Sequence, residues 1–183
     1  MPQVASSYAR AQQDGGRRYD QMLGGDGNLL ADLRNLMLDF AYVRLDQYKL
    51  GPFERASATY SYNAQREERV NQGGNGNPLA AITQEGERLR AHGVQGFLNK
   101  VMGKNNLMLG GEYYDEVVRA PSFAFDPATG ISTIRRGRVP DGAAYHSGGI
   151  YAQDIFTPGR KITVSGALRH SVAWYRSRRA NSP

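Results

Sequence analysis

The sequence has no cysteine and a single tryptophan among its 183 residues. Without cysteine there is no disulfide, no thiolate metal site and no redox thiol. No stretch approaches the ~18 apolar residues that a membrane helix needs, which excludes helical spans but not a transmembrane β-barrel. Signatures of nucleotide and acyl-transfer chemistry are missing as well. Gly73-Gly74-Asn75-Gly76 is not followed by Lys and Ser or Thr, and no Gly-x-Ser-x-Gly elbow occurs. His92, His146 and His170 share no ligand-spacing motif. Residues 1–20 hold no charged stretch followed by an apolar run and a small-residue cleavage site, so an exported protein would require a further N-terminal segment. No enzymatic activity and no cofactor are expected.

What is present suits strands and tight turns: 22 glycines, and 11 tyrosines against 6 phenylalanines. The net charge of +6 comes mostly from arginine. The arginine pairs Arg17-Arg18, Arg135-Arg136 and Arg178-Arg179 are short and far apart in the sequence, unlike the concentrated footprint of a nucleic-acid binder, so no nucleic-acid partner is expected.

Along the chain, period-two runs alternate with very short turns and long polar loops. Six strands are expected at about 34–48, 54–70, 88–102, 106–119, 142–156 and 161–176, with a seventh possible at Gln3–Gln12. The clearest run sets Ala56, Ala58, Tyr60 and Tyr62 against Arg55, Ser57, Thr59, Ser61 and Asn63. Leu107, Leu109, Gly111 and Tyr113 likewise oppose Met108, Gly110, Glu112 and Tyr114, and Ile162, Val164, Gly166 and Leu168 oppose Thr163, Ser165, Ala167 and Arg169. In the first run Leu36, Leu38, Phe40 and Tyr42 share one parity. The runs 88–102 and 142–156 do not distinguish their faces. Leu29, Leu33, Leu36 and Phe40 also fit helical spacing after an Asn28 N-cap, so the pattern leaves open whether 28–34 is a short helix before the first strand. Long loops are expected from Asn71 to about Glu87 and from Ala120 to Gly142. The second contains Asp126-Pro127-Ala128-Thr129-Gly130, a turn able to close a small hairpin.

Short turns at one end and long loops at the other are the layout of an outer-membrane barrel. Lipid offers backbone groups no hydrogen-bond partner, so only helices and closed sheets cross it. A soluble sandwich, with one wet and one dry face, shows the same alternation. Aromatic placement favours the membrane: Tyr60, Tyr62, Tyr113 and Trp174 fall on the apolar parity, towards the loop side, where an interfacial girdle sits. The expected fold is therefore all-β, a segment of an antiparallel transmembrane β-barrel. Its lipid-facing and girdle residues would be Tyr60, Tyr62, Leu107, Leu109, Tyr113, Ile162, Val164, Leu168 and Trp174.

Tyr151, Gln153, Asp154 and Phe156 on one run, a short turn, then Leu168 and Arg169 on the next resemble a barrel hairpin of TonB-dependent receptors. That family's usual pattern is Tyr-x-Gln-Asp-x-aromatic, a turn, then Leu-x-Leu-x-x-Gly-Leu-Arg-Tyr. Gly166 sits one place early with Ala167 in the glycine position, and His170 replaces the aromatic. Asn106–Tyr113 and Ala58–Gln65 are similar to other strands of such barrels. The resemblance spans about 34–177. It implies a plugged 22-stranded barrel that imports a scarce nutrient (siderophore, vitamin, carbohydrate or peptide) from the bacterial cell surface, with energy delivered through TonB. This chain would then be a piece of the barrel wall in the outer membrane. Its partners would be outer-membrane lipid, the remainder of its own barrel and plug, the TonB complex through that missing part, and the small nutrient.

A complete small barrel and a soluble β-sandwich binding module are the alternatives. Glu112, Asp115 and Glu116 are expected as lumen or rim charge paired with Arg119, and Arg66, Glu67, Glu68 and Arg69 as a solvated strand extension. Ligand contacts, placed by loop location alone, are expected at Asn71, Gln72, Asn75, Arg135, Arg136 and Arg138.

Overall fold

The computed structural model describes residues 1–22 and 27–177. Arg178-Arg179 and the polar tail to Pro183 lie outside the described residues. The strands are β1 (Pro2–Arg17), β2 (Leu30–Leu50), β3 (Phe53–Gln72), β4 (Ile82–Met102), β5 (Asn105–Arg119), β6 (Ser122–Asp126), β7 (Ile131–Ile134), β8 (Ala144–Gly159) and β9 (Ile162–Arg176). They form one antiparallel sheet in the order β1-β2-β3-β4-β5-β8-β9, with β6 paired to β4 and β7. The only helical element among the described residues is a 3₁₀ turn at Tyr19–Gln21.

Three connections are tight. Leu50 pairs with Phe53 across Gly51-Pro52, and Met102 with Asn105 across Gly103-Lys104. Gly51 and Gly103 have φ of 56° and 62°, left-handed backbone that a Cβ makes costly. Gly159 pairs with Ile162, past a register shift after Phe156. β8 thereby runs through Thr157 and Pro158, beyond the turn expected there. The longer connections, of which 18–22, 27–29, 73–81 and 120–143 are described, lie at the opposite end of the sheet.

β2, β3 and β4 are 20 or 21 residues long, about twice the ~9–11 residues a tilted membrane strand needs. Their extra length reaches towards the loops. There the expected loop 71–87 contracts to 73–81, because Ile82–Glu87 pair in full register with Glu67–Gln72. Gln72, expected at a ligand loop, is instead buried and donates to the carbonyls of Pro78 and Ala80 at 2.8 and 3.0 Å. The loop expected from Ala120 to Gly142, with its turn able to close a small hairpin, contains the β6–β7 hairpin. Ser122 pairs with Glu85 in the register that pairs Arg119 with Arg88, and the Gly86 amide donates to the Pro121 carbonyl at 3.1 Å. β5 and β6 are thus one long strand interrupted at Ala120-Pro121, where proline has no amide to donate. Asp126 closes the hairpin turn: its carboxylate accepts from the Ala128 amide and the Thr129 hydroxyl, both at 2.9 Å. These bonds hold its pKa below the ordinary carboxylate value, the Thr129 hydroxyl contributing most.

The sequence left open whether 28–34 is helical, and the structure resolves Leu30 onwards as strand. Leu30 to Leu33 are strand, paired with Gln72 to Arg69, and Arg34 is an extra residue in β2 opposite β3. This bulge explains the misleading pattern. A bulge shifts side-chain parity by one, so Leu29 and Leu33 above it share a face with Leu36 and Phe40 below it. Even spacings joined by one odd step imitate the four-three-four spacing of a helix.

Among the described residues no second layer packs on this sheet. Among the described residues the buried apolar side chains are only Ala31, Val70 and Ala120. A soluble sandwich would need a facing sheet, and β1 and β9 do not pair with each other as a complete small barrel requires.

Candidate functional site

Register fixes which side chains share a face. Leu45, Ala58, Gly96, Gly111 and Ile150 form one cross-strand row. Two residues further towards the loops lies Val43-Tyr60-Val94-Tyr113, and beyond that Ala41-Tyr62-His92-Asp115-His146-Trp174. Tyr60, Tyr62, Leu107, Leu109, Tyr113, Ile162, Val164, Leu168 and Trp174 all lie on this apolar face. The register also settles the two runs left open by the sequence. Leu98, Val94, Ile150 and Ala152 are on the apolar face, while Phe97 and Tyr151 are on the other.

The other face is polar over the turn-side half. Asp46 and Ser57 are buried there. Asp46 accepts from Arg55 at 2.8 Å and from Arg44 at 3.1 Å, and the Arg55 guanidinium lies over the rings of Phe97 and Tyr48 at 5.3 and 5.5 Å. Further along, Arg169 donates to Glu112 and, at 2.9 Å, to the Ser171 hydroxyl. Two glycines on this face seat tyrosine rings of their register partners. A Cβ on Gly93 would stand 2.7 Å from the Tyr114 ring, and one on Gly110 would stand 2.4 Å from the Tyr151 ring.

Exposure is inverted relative to a soluble protein. Val94, Leu109 and Leu168 are 55%, 46% and 80% exposed, whereas Asp46 and Ser57 on the polar face are 8% exposed. Scattered exposed apolar side chains are ordinary, but a continuous apolar face is not.

At the loop side the polar face changes character. Leu36 and Leu38 lie on it, opposite Glu67 and Gln65, with Leu89 and Val118 in line. Together with Glu87 and Val139 they line a groove of about 680 Å³. An apolar floor with a few carboxylates and amides at its rim is the usual make-up of a small-molecule site.

The six loop residues expected to contact ligand are not gathered there. Asn71 is inside β3, its carbonyl accepting from the Thr83 hydroxyl at 3.3 Å. Asn75 has φ 57° and sits against Gly27. The Arg135 amide donates to the Ser122 carbonyl, and Arg138 lies 3.7 Å from Glu85. Arg136 is exposed. The expected pairing of the acidic group with Arg119 is also corrected. Alternation sends Glu112 to the polar face, with Arg169, and Asp115 to the apolar face, where it lies 2.8 Å from His146. Arg66 and Glu68, and Arg69 and Glu67, pair along β3 on opposite faces. Sequence reasoning missed the shared row of His92, Asp115 and His146, because only the register brings three separate strands into line. It missed the groove for the same reason.

No family model matches the sequence, and no curated protein matches it. The fold does match solved structures. The one described as copper transporter OprC superposes with a TM-score of 0.66 at 16% identity, covering 81% of this chain. The chain spans 24% of the length of that structure. The fold is thus that of an antiparallel sheet from an outer-membrane barrel wall. At this identity the likeness carries the fold, and the copper in that protein's name stays with that protein.

Proposed function

We propose that this chain is a stretch of the barrel wall of a TonB-dependent outer-membrane transporter taking up a scarce nutrient. The observation that carries the reading is the inverted face pattern: an exposed apolar surface, interrupted at its turn-side edge by Lys100 and Asp154 and bordered by an aromatic row, is backed by a polar surface on which Asp46 is buried and paired with half-exposed arginines. In this reading lipid covers Leu98, Leu109 and Leu168, while Tyr60, Tyr62, Tyr113 and Trp174 lie at the interface. The polar face lines the lumen, and the groove at Leu36, Leu38 and Leu89 is the place where a nutrient rests at the loop side. Further strands complete the edges at β1 and β9, which otherwise present unpaired backbone. The plug and the TonB contact belong to other segments of such a protein. The Tyr151–Phe156 and Leu168-Arg169 pattern supports the TonB-dependent type over other barrels.

Trp174 is the only tryptophan, which makes the test direct. The barrel that carries this chain, with any tryptophan outside the chain replaced and folded in vesicles of phosphatidylcholine brominated on its acyl chains, should show quenched Trp174 emission. A chain that stays water-soluble and compact, its emission untouched by those vesicles, would overturn the reading. The uptake itself is checked in cells: accumulation of the nutrient should collapse when the proton gradient that drives TonB is dissipated.

A further inference from the structure

The loop-side groove joins two features that a surface meeting only water avoids. Its floor is apolar: Leu38, Leu89 and Val118 share a cross-strand row with Gln65, and Leu36 lies in the next row with Glu67 and Glu87. Leu36 and Leu38 are 43% and 39% exposed, and apolar surface left in water is unfavourable in proportion to its area. The rim is negative. Glu67 and Glu87 are direct cross-strand partners on this face, an arrangement in which like charges repel. The cations nearby are engaged elsewhere. Arg69 pairs with Glu67, Arg138 lies 3.7 Å from Glu85, and Arg66 pairs with Glu68 on the opposite face. Glu87 is half-buried and, like Glu116 two residues from Val118 on the same face, makes no ion pair among the described residues.

We propose that this groove binds a small molecule with an apolar body and a protonated amine, the amine on Glu87 and the body on Leu36, Leu38, Leu89 and Val118. The inference rests on the transporter reading above and gives the chemistry of the nutrient held at this groove. Charge decides between the classes of ligand. An anion would face Glu87 and Glu116, while the arginines of this face are already held by Glu67 and Glu85. A neutral apolar molecule would cover the leucines but desolvate the Glu87 carboxylate without a partner, which is costly. An ammonium group relieves the Glu67–Glu87 repulsion, and its hydrogen bond to a carboxylate is stronger than one between neutral groups. Size agrees. Leu38 to Val118 spans three strand spacings, about 14 Å, and a volume of about 680 Å³ is that of a small-molecule site.

The experiment uses the whole barrel that carries this chain, in neutral detergent at neutral pH. It is titrated with three probes of one shape: adamantylamine, adamantanol and adamantanecarboxylate. Calorimetry, corrected for uptake by protein-free micelles, should show the amine binding about tenfold more tightly than the alcohol, and the carboxylate not binding. Glu87→Gln should bring the amine down to the affinity of the alcohol. Leu38→Ala combined with Leu89→Ala should weaken amine and alcohol alike and leave their ratio unchanged. Glu68→Gln, on the opposite face, should alter none of the three affinities. Glu87→Gln should be no less heat-stable without a probe, because it removes repulsion rather than a contact. This separates loss of binding from loss of folding. The alcohol binding as tightly as the amine, an amine preference that survives Glu87→Gln, or binding of none of the three would overturn the proposal. Quenching of Trp174 in brominated vesicles, measured on the same barrel, reports on the membrane reading alone. If that quenching holds and the amine preference is absent, only the ligand proposal falls.

Discussion

The turn-side and loop-side halves of this sheet obey opposite rules, although the same long strands run through both. Between the short turns and the row of Tyr62, His92 and Trp174, one face is apolar and exposed while the other carries Asp46, Arg55 and Ser57. Beyond that row the assignments reverse. The formerly apolar face carries Arg66, Arg88, Arg90 and Arg119, and the formerly polar face carries Leu36, Leu38 and Leu89. Ladder pairing between β3 and β4 continues unbroken from one half to the other, so the backbone does not impose the change. The surroundings do: a strand leaving lipid for water exchanges which of its faces has to be apolar. The aromatic row marks where that happens.

The comparison breaks most readily at the centre of the turn-side half. Leu98→Arg puts a charge on the apolar face and should cost about 2–4 kcal/mol of folding stability in a bilayer, read from denaturant titration in vesicles. Gln95→Arg, nearby on the polar face, should stay within about 0.5 kcal/mol. Equal costs would mean that the two faces meet the same medium. A smaller loss is expected from Gly110→Ala, whose new methyl meets the Tyr151 ring at 2.4 Å. Overpacking of this kind costs about 1–3 kcal/mol, and Gly110→Ala with Tyr151→Ala should cost less than the sum of the separate changes. The smallest effect belongs to the loop side. Asp126 has a folded pKa depressed below 3.8, so the stability it gives the β6–β7 turn is present above that value and lost as pH falls through the lower folded value. Hydrogen exchange of the Gly130 amide, which donates to the Asp126 carbonyl at 2.8 Å, should quicken, relative to its intrinsic rate, as pH drops below 3.8. An Asp126→Asn variant should abolish that change.

Much of the turn-side half was legible because alternation is strict there. Ala58 and Tyr60 against Ser57 and Thr59 leave no doubt about parity, and Gly51-Pro52 and Gly103-Lys104 announce their turns. The faces of β4 were not legible, since Phe97 and Leu98 are adjacent and both apolar. Only register shows that Phe97 packs under Arg55 on the polar side. The loop-side ribbon was read as loop because Thr83–Glu87 is polar on both faces, as a strand wet on both sides must be. The bulge at Arg34 turned a strand into an apparent helix. Of the candidate site, the parity of Leu36 and Leu38 could be read from the sequence. Their place opposite Gln65 and Glu67, and in line with Leu89 and Val118, depends on pairing across four strands that no local pattern encodes.

The absence of native cysteine allows a clean scan of β4. Single cysteines at positions 84–98, carrying a fluorophore and reconstituted in vesicles, would be challenged in turn with a lipid-phase and a water-phase quencher. Lipid quenching should peak at 94, 96 and 98, fall at 93, 95 and 97, and vanish for every position before 90. A flat profile, or lipid quenching at the odd positions, would contradict the two-faced wall.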